Sequence, residues 1–456
     1  MALNRWQAVA MIGAVVGLAG GVMAERQPKT AIELCVIVVG VVALAMLGDR
    51  AFPWAIVIVA VAPLYPFTAH SAAPSGINQK LVCIVIASAT LAPWLWSLAV
   101  GGRRTRPNPR TLLIGLVYAG MTLFVYTTVG GISKMVTPVI AGYLFAGAAF
   151  LCARRFTDVR SWTTPGFVGL AILLLVGAEA YASAPTERVG YFVGYPITYG
   201  ALLVGLIPVG LLFAFRRSRA LAGVVLAASV AMLVFSESRS AWIATGVVLL
   251  VLMALLARGR KLRALALVGA ALVIALGLVA GTGTLQKVIE RRVNSRTASS
   301  ESVTHRLWSV EYAFGQIGKS PVFGAGAPGF SAEEAANRTS IGAIDDGYLS
   351  VTVDMGLIGL AAALIPILIA LAVLVRCFRL GATPPLELAL ALGVLGMAVV
   401  TLFYDSFYWW QIELLFGAMG GALSLRINAI APAAAAAPRQ TTLRAERPAL
   451  GLLSGR

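Results

Sequence analysis

Charge is scarce in this sequence. Only 12% of the 456 residues are charged, 59% are hydrophobic, and the mean hydropathy is +0.87. A soluble protein of this length would need far more polar surface to cover its core. Apolar runs long enough to span a bilayer recur from end to end, so the composition excludes a set of soluble domains and predicts an all-α, polytopic transmembrane bundle.

Cysteine and histidine are also rare. The four cysteines have neither paired nor metal-type spacing, which excludes a disulfide framework and a zinc site and predicts free thiols in the core. The sequence gives no reason to expect a cofactor. His305 is one of only two histidines, so it is considered as a proton-transfer group, against the alternative of a solvated loop residue.

Basic residues, by contrast, are in excess, with a net charge of +17. They occur in short clusters between apolar runs, and short loops rich in Lys and Arg stay in the cytoplasm. Nucleic-acid binding is therefore a poor interpretation of the charge. The clusters are GGRRTRPNPR (101–110), RRFTDVR (154–160), RRSR (216–219), RGRKLR (258–263) and RCFR (376–379).

Hydropathy predicts about fourteen spans. With the N-terminus inside, every basic cluster falls on the cytoplasmic side, as do both termini, and the first helix is retained rather than cleaved. The Ala- and Pro-biased tail 428–456 is expected to be disordered. The spans are 6–24, 31–48, 51–69, 80–100, 111–128, 137–153, 163–182, 196–215, 220–235, 240–257, 264–281, 347–375, 386–404 and 408–426.

One outer segment, 282–346, is far longer than the other connections, and long loops in compact proteins are usually functional. Within it, residues 304–320 carry apolar residues at helical spacing, which predicts a helix packed on the outer membrane face. Pro and three glycines in SPVFGAGAPGF (320–330) then predict a turn.

Candidate ligand-binding residues cluster near the outer ends of the predicted spans. In TERVGYFVGYP (186–196), the Arg188 guanidinium suits a diphosphate, and Tyr191 and Tyr195 suit sugar faces. The alternative is a surface pair of Arg188 with Glu187 beside an aromatic belt. Arg239 lies in the short turn SESRSAW (236–242), where snorkelling is the alternative, and Arg306 follows His305 in THRLW.

Three acids accompany the next predicted span. If the helix begins near Asp346, then Asp346, Ser350 and Asp354 lie at i, i+4 and i+8 on one face. Asp345 and Asp346 are candidates for a general base, and the alternative is that they cap the helix. A Mg²⁺ site on the adjacent acids is disfavoured, because no third ligand is evident and the arginines suffice to neutralise a diphosphate.

These motifs, in this order, resemble the O-antigen ligase/polymerase superfamily over roughly residues 185–375. The resemblance rests on RVGYFVGYP, SESRSAW, RLW leading to SPVFGAGAPGF, and DDGYLSVTVDMGLIGL. It implies a GT-C-like, inverting, metal-independent membrane glycosyltransferase that uses undecaprenyl-diphosphate-linked glycans. By motif position, Arg188 and Arg306 would bind the diphosphate, and Arg239 would support them.

The resemblance also divides the chain. It implies N-terminal transmembrane helices (1–184), a core (185–375) that includes the periplasmic loop 282–346, C-terminal transmembrane helices (376–427) and the cytoplasmic tail (428–456). The bilayer of the bacterial inner membrane, the lipid-linked glycan donor and acceptor, and other polysaccharide-assembly membrane proteins are the expected partners.

The sequence departs from the ligase pattern where Asp345-Asp346 replaces His-Asn. The departure favours a polymerase, with Asp345, which aligns with the ligase histidine, as the first choice of base and Asp346 as the second. An O-antigen ligase is the first alternative. A lipid-linked sugar transporter or flippase is an alternative of another class. Inverted repeats and helices broken at the membrane midplane would indicate a transporter, and neither feature is evident in the sequence. A non-catalytic assembly component is a third.

Overall fold

The computed structural model describes residues 51–61, 146–147, 149–150, 153, 159–185, 187–258, 296–325, 344, 346–380, 385–404 and 409–427. In this part of the chain 87% of the residues are helical and there is no strand, which confirms the all-α prediction. The predicted spans 6–24, 31–48, 80–100, 111–128 and 264–281 and the tail 428–456 lie outside the described residues.

The helices are numbered here in chain order. A short 3₁₀ turn, Val159–Trp162, leads into the second, and another, Tyr191–Val193, precedes the third. Their bounds are α1 Ala51–Val61, α2 Thr163–Ser183, α3 Pro196–Arg217, α4 Arg219–Phe235, α5 Arg239–Arg258, α6 Arg296–Lys319, α7 Gly347–Leu380, α8 Pro385–Thr401 and α9 Trp410–Ser424.

Several of these helices have the length and composition of membrane spans. Three are long and apolar enough to cross a bilayer, namely Val159–Ser183, Pro196–Arg217 and Gly347–Leu380. Shorter apolar helices are Arg219–Phe235, Arg239–Leu255 and Pro385–Thr401. A membrane protein is thereby supported, whereas the number of fourteen spans and the GT-C-like arrangement stay predictions.

Helix α3 lies at the centre and packs against α2, α4, α5 and α8. Small residues let α3 approach α8 closely: a Cβ on Gly205 would lie 2.8 Å from Met397 Sδ, and one on Gly393 would overlap the Gly205 carbonyl. Large apolar side chains, including Leu175 and Leu250, remain exposed on the outer faces. Such faces suit contact with lipid.

One end of the bundle, where α3, α5, α7 and α9 begin, is called the site end. Arg217 and Arg219 mark the opposite end, called the basic end, where Ser218 both terminates α3 and caps α4 by accepting a hydrogen bond from Leu221 N at 3.0 Å. At the site end, Pro196 occupies the first position of α3, where its missing N–H costs nothing.

The predicted helix in the long segment is present, but it is longer than expected. It is α6, which begins at Arg296 rather than at residue 304. Its added first turns, RTASSES, are polar all round, so no apolar period marked them. The turn expected after Ser320 is present at Pro321–Ala325, and α6 packs on α7.

A broken helix, which is not evident in the sequence, is present in the structure. Helix α7 contains a residue outside helical geometry, Gly356, with φ 66° and ψ −166°. A glycine inside an apolar run is tolerated in a continuous helix, so the sequence alone gave no sign of the break.

Candidate functional site

The loop between α2 and α3 is fastened to the turn between α4 and α5. Val189 N donates a hydrogen bond to Phe235 O at 3.1 Å. Phe192 and Val193 are buried, and Gln411 of α9 donates from Nε2 to Val193 O at 3.3 Å. The loop is therefore a fixed part of the site end.

Arg188 connects two of the sequence motifs directly. Its Nε donates to Ser236 O at 3.2 Å, and its Nη2 donates to Glu237 O at 3.4 Å. These two carbonyls hold the half-buried guanidinium. Nη1 has no hydrogen-bond partner among the residues that the structure describes, so the group is oriented with donors left for a ligand.

A cluster of three tyrosines meets this guanidinium through the Tyr195 ring. Arg188 Cζ lies 5.8 Å from the centroid of the Tyr195 ring, within cation–π range. Tyr191 meets Tyr195 edge-on at 6.0 Å, and Tyr404, just beyond α8, lies nearly parallel to Tyr195 at 6.1 Å. The Tyr195 side chain is 37% exposed, so its ring remains accessible. Burial raises the pKa of Tyr191, and Arg188 opposes that rise, so this phenol stays neutral at ordinary pH.

The turn that receives Arg188 also presents Arg239. Glu237 has φ 50°, an uncommon conformation for a residue other than glycine, and is buried. Ser238 Oγ lies 3.2 Å from Ser240 Oγ and accepts a weak hydrogen bond from Ala241 N at 3.4 Å. Arg239 is exposed at the first position of α5. The structure therefore places Arg239 within one turn of the carbonyls that bind Arg188.

Asp346 caps α7, as the structural alternative predicted. Its Oδ1 accepts hydrogen bonds from Tyr348 N at 2.9 Å and Leu349 N at 3.1 Å. Burial raises the pKa of Asp346, and the two backbone donors oppose the rise. No described residue donates to Oδ2. Asp346 thus caps the helix through Oδ1, while its pKa is raised and Oδ2 accepts no hydrogen bond from the described residues. Such a carboxylate suits proton transfer as well as capping.

A chain of contacts relates Asp346 to the tyrosines. Tyr348 Oη donates to Ala398 O at 2.9 Å in the last turns of α8. Three residues beyond α8, Tyr404 Oη lies 3.4 Å from Thr198 Oγ1 at the start of α3. Asp346 and Arg188 consequently belong to the same end of the bundle, although no direct contact joins them.

Sequence reasoning missed the contribution of residues 404–413. Tyr404 stacks with Tyr195, Trp409 packs on Gly194, and Gln411 and Glu413 are fully or almost fully buried at the start of α9. Gln411 Oε1 is buried without a hydrogen-bond partner in the described structure. The signal was the density of aromatic and polar residues in YDSFYWWQIE between two apolar runs.

The structure does not describe the side chains of three predicted site residues. Asp345 lies outside the described residues, so its role and the Mg²⁺ alternative stay predictions. His305 and Arg306 lie in α6, within the stretch 304–320 for which the sequence predicts a helix. Their side chains are outside the description.

Comparison with known proteins adds a family to this geometry. Residues 224–364 match the family model described as O-antigen ligase. This match supports the resemblance to the O-antigen ligase/polymerase superfamily that the sequence motifs indicate. The match includes Arg239, Arg306 and Asp346, and it begins after the loop that carries Arg188. A comparison with curated proteins finds no match. The match supports glycosyl transfer in a membrane and does not distinguish polymerase from ligase.

Proposed function

We propose that this protein polymerises undecaprenyl-diphosphate-linked oligosaccharide repeat units into exopolysaccharide, capsule or O-antigen at the periplasmic face of the inner membrane. The observation that carries the proposal is Arg188, which two backbone carbonyls hold in place while its Nη1 has no hydrogen-bond partner among the described residues. A guanidinium oriented in this way suits a phosphate oxygen, and the match to the O-antigen ligase family model supports a lipid-linked glycan as the class of substrate.

The proposed reaction is an inverting glycosyl transfer. An acceptor hydroxyl attacks the anomeric carbon of the donor glycan, the bond from that carbon to the diphosphate oxygen breaks, and undecaprenyl diphosphate leaves. Arg188, with Arg239 and Arg306, stabilises the negative charge that develops on the diphosphate. No metal ion is needed in this scheme, because the arginines supply the positive charge.

The acceptor proton passes to a carboxylate of Asp345 or Asp346. Burial of Asp346 favours this role, since a raised pKa makes a carboxylate a better base near neutral pH. Its Oδ1 is occupied by the helix cap, so Oδ2 would take the proton. Asp345 remains the other candidate on its alignment with the ligase histidine.

Tyr191, Tyr195 and Tyr404 would bind the glycan. Sugar rings present C–H faces that stack on aromatic rings. The Tyr195 ring lies beside Arg188, and the Tyr404 ring is nearly parallel to that of Tyr195. The first sugar of the donor, which is joined to the diphosphate, would therefore meet these rings when the phosphate meets the arginine.

Transfer from the lipid carrier to lipid A-core, as in an O-antigen ligase, is the second candidate, and the description of the matching family favours it. Both reactions use the same donor and differ mainly in acceptor. In a deletion strain, loss of long polymer with single repeat units still attached supports polymerase. Loss of all attached glycan with lipid-linked polymer accumulating supports ligase.

Transport of a lipid-linked sugar is the candidate of another class. The break in α7 is a feature of many transporters, but there the freed backbone groups contact substrate or ions. Here the turn 321–325 forms hydrogen bonds with those backbone groups. The test is a purified protein with a lipid-diphosphate oligosaccharide: elongation with release of undecaprenyl diphosphate is expected. Vesicle translocation of that lipid without turnover would contradict the proposal.

A further inference from the structure

The break at Gly356 divides α7 into two unequal helices. As one helix, its 34 residues would be ~51 Å long, whereas the hydrocarbon core of a bilayer is about 30 Å thick. Residues 357–380 alone would reach roughly 36 Å. The part before the break, residues 347–355, is therefore not needed to span the membrane. It is called the half-helix below, and Asp346 caps it.

A break in a helix leaves backbone groups without their usual partners, which is costly in an apolar environment. The turn Pro321–Ala325 binds those groups here. Leu357 N donates to Pro321 O at 2.8 Å, and Ile358 N donates to Val322 O at 3.4 Å. In the opposite direction, Ala325 N donates to Val353 O at 2.7 Å. The turn thus replaces the missing helical hydrogen bonds on both sides of the break.

Two glycines make this contact possible. Gly324 has φ 76°, and a Cβ there would lie 2.5 Å from the Asp354 carbonyl and from Met355 N. Gly356 has φ 66°, and a Cβ there would overlap the Val322 carbonyl. Each position therefore requires glycine for its backbone conformation and again for the approach of the other segment.

The half-helix is held on other sides as well. Val353 packs with Ala313 of α6 and with Ile344, and Leu349 packs on the same cluster. Tyr348 Oη is bonded to Ala398 O of α8. The turn, α6 and α8 together fix where the half-helix lies, and with it the Asp346 carboxylate at its first turn.

We propose that Gly324 and Gly356 are positioning residues for glycosyl transfer: their backbone contact fixes the half-helix so that the carboxylate at its N-terminus faces the acceptor hydroxyl. Two motifs far apart in the sequence, PVFGA and DMGLIG, are then two halves of one structural unit. The inference rests on the proposed function only in assigning the base to Asp346 or its neighbour Asp345.

The test compares glycine-to-alanine variants of the full-length purified protein with a lipid-linked repeat unit. Gly356→Ala and Gly324→Ala are expected to lower kcat about 100-fold, since a shift near 1 Å can cost that much. KM for the donor is expected to stay within about twofold, because the groups proposed to bind the donor diphosphate and its first sugar lie on other elements. Gly318→Ala in α6 is the matched control, because no atom of the described residues would lie within 4 Å of a Cβ there.

An unchanged kcat in both variants would overturn the inference. A fall in kcat/KM that arises wholly from KM would overturn it too, because donor binding would then be what the glycines serve. If the wild-type protein itself performs no glycosyl transfer, the proposed function fails first, and this result differs from a wild-type enzyme that tolerates both alanines.

A second variant covers the case in which the alanines prevent folding. In this variant the four native cysteines are replaced and two new ones are introduced, Val322→Cys and Ile358→Cys. A disulfide between them joins the turn to α7. Disulfides need Cα atoms about 4.4–6.8 Å apart, and a direct backbone hydrogen bond brings two residues near that range. The oxidised protein is expected to keep at least half of the wild-type kcat. Failure to cross-link, or loss of activity that a reductant restores, would contradict fixed positioning.

Discussion

Arginines at the two ends of the bundle differ in how they are held. At the basic end, Arg216, Arg217 and Arg219 are exposed, and the nearest aromatic contact is Arg217 Cζ at 5.5 Å from the Phe213 ring, one helical turn away. At the site end, Arg188 is half-buried and bonded to two backbone carbonyls of a turn distant in sequence.

This difference separates two uses of the same side chain. Exposed arginines at helix ends need only stay in water, and their charge biases the orientation of the helices. A guanidinium whose direction is fixed by tertiary hydrogen bonds has lost conformational freedom before any ligand arrives. The comparison therefore predicts that the basic end sets topology and that the site end binds ligand, and each part can be tested.

The largest effect is expected at Arg188. Arg188→Ala should lower kcat/KM about 10²–10³-fold, because a preorganised donor to the departing diphosphate is lost. Arg188→Lys should recover little of the lost kcat/KM, since one ammonium group cannot bond to both carbonyls and also bind a phosphate. Release of undecaprenyl diphosphate by the purified variants measures the effect.

The matched control is Arg217→Ala, which removes the same side chain from the basic end. Its kcat/KM should stay within about twofold of the wild type. Thermal unfolding of both variants separates lost chemistry from lost structure, because two hydrogen bonds from a charged group to carbonyls stabilise by roughly 1.5–3 kcal/mol each. Equal activity losses at the two ends would contradict the comparison.

Asp346 is expected to give the next largest effect. Asp346→Asn keeps the helix cap, because Asn caps as well as Asp does. If Asp346 is the base, kcat falls roughly 10²-fold, the lower end of the usual contribution of a general base, while the unfolding temperature is nearly unchanged. Asp345→Asn is the matched variant one residue away.

The pH dependence of the wild type sharpens this prediction. An acid whose pKa is raised in the folded protein becomes protonated at a higher pH, so activity falls as the pH drops through that raised pKa. The acidic limb of kcat against pH should therefore lie above the ordinary Asp value of about 3.9. Normal polymer production by both Asn variants, at normal protein levels, would rule out a carboxylate base at this position.

Tyr404 is expected to have a smaller effect, on binding alone. Tyr404→Ala removes one of the two nearly parallel rings. A stacking contact on an aromatic ring contributes about 0.5–1.5 kcal/mol, so loss of the stack proposed between Tyr404 and the donor sugar should raise KM for the donor roughly 2- to 12-fold. Tyr404→Phe keeps the ring and should stay within about twofold. An identical rise in KM for both variants would show that the hydroxyl, rather than the ring, matters.

The sequence predicted those features of the site that depend on local patterns. The acids before an apolar run predicted the start of α7, and Asp346 does cap it. The apolar spacing in residues 304–320 predicted most of α6. Arg188 is a candidate from the sequence alone, because a charged side chain beside hydrocarbon is costly and is usually paired or functional. Each of these signals lies within a few residues of the feature that it predicts.

Features that depend on contacts between distant segments could not be predicted. Arg188 is held by main-chain carbonyls, and every residue carries such an acceptor, so no sequence pattern marks the partner. Tyr404 joins Tyr195 only because α3 packs on α8. The break at Gly356 requires the turn 321–325, and a glycine in an apolar run does not reveal that a second segment contacts it.

The smallest effect is expected at the ion pair of the basic end. Arg426 Nε lies 3.5 Å from Glu387 Oε1, between the residues just after α9 and the first turn of α8. Because Arg426 is partly exposed, the pair is screened by solvent and should contribute about 0–1 kcal/mol to the free energy of unfolding. Glu387→Gln should therefore lower the unfolding temperature slightly and leave kcat/KM unchanged. The loss in stability should shrink at high salt, since screening already weakens the pair. A tenfold loss of activity in this variant would mean that charge at the basic end acts on the chemistry at the site end, and the division between the two ends would be wrong.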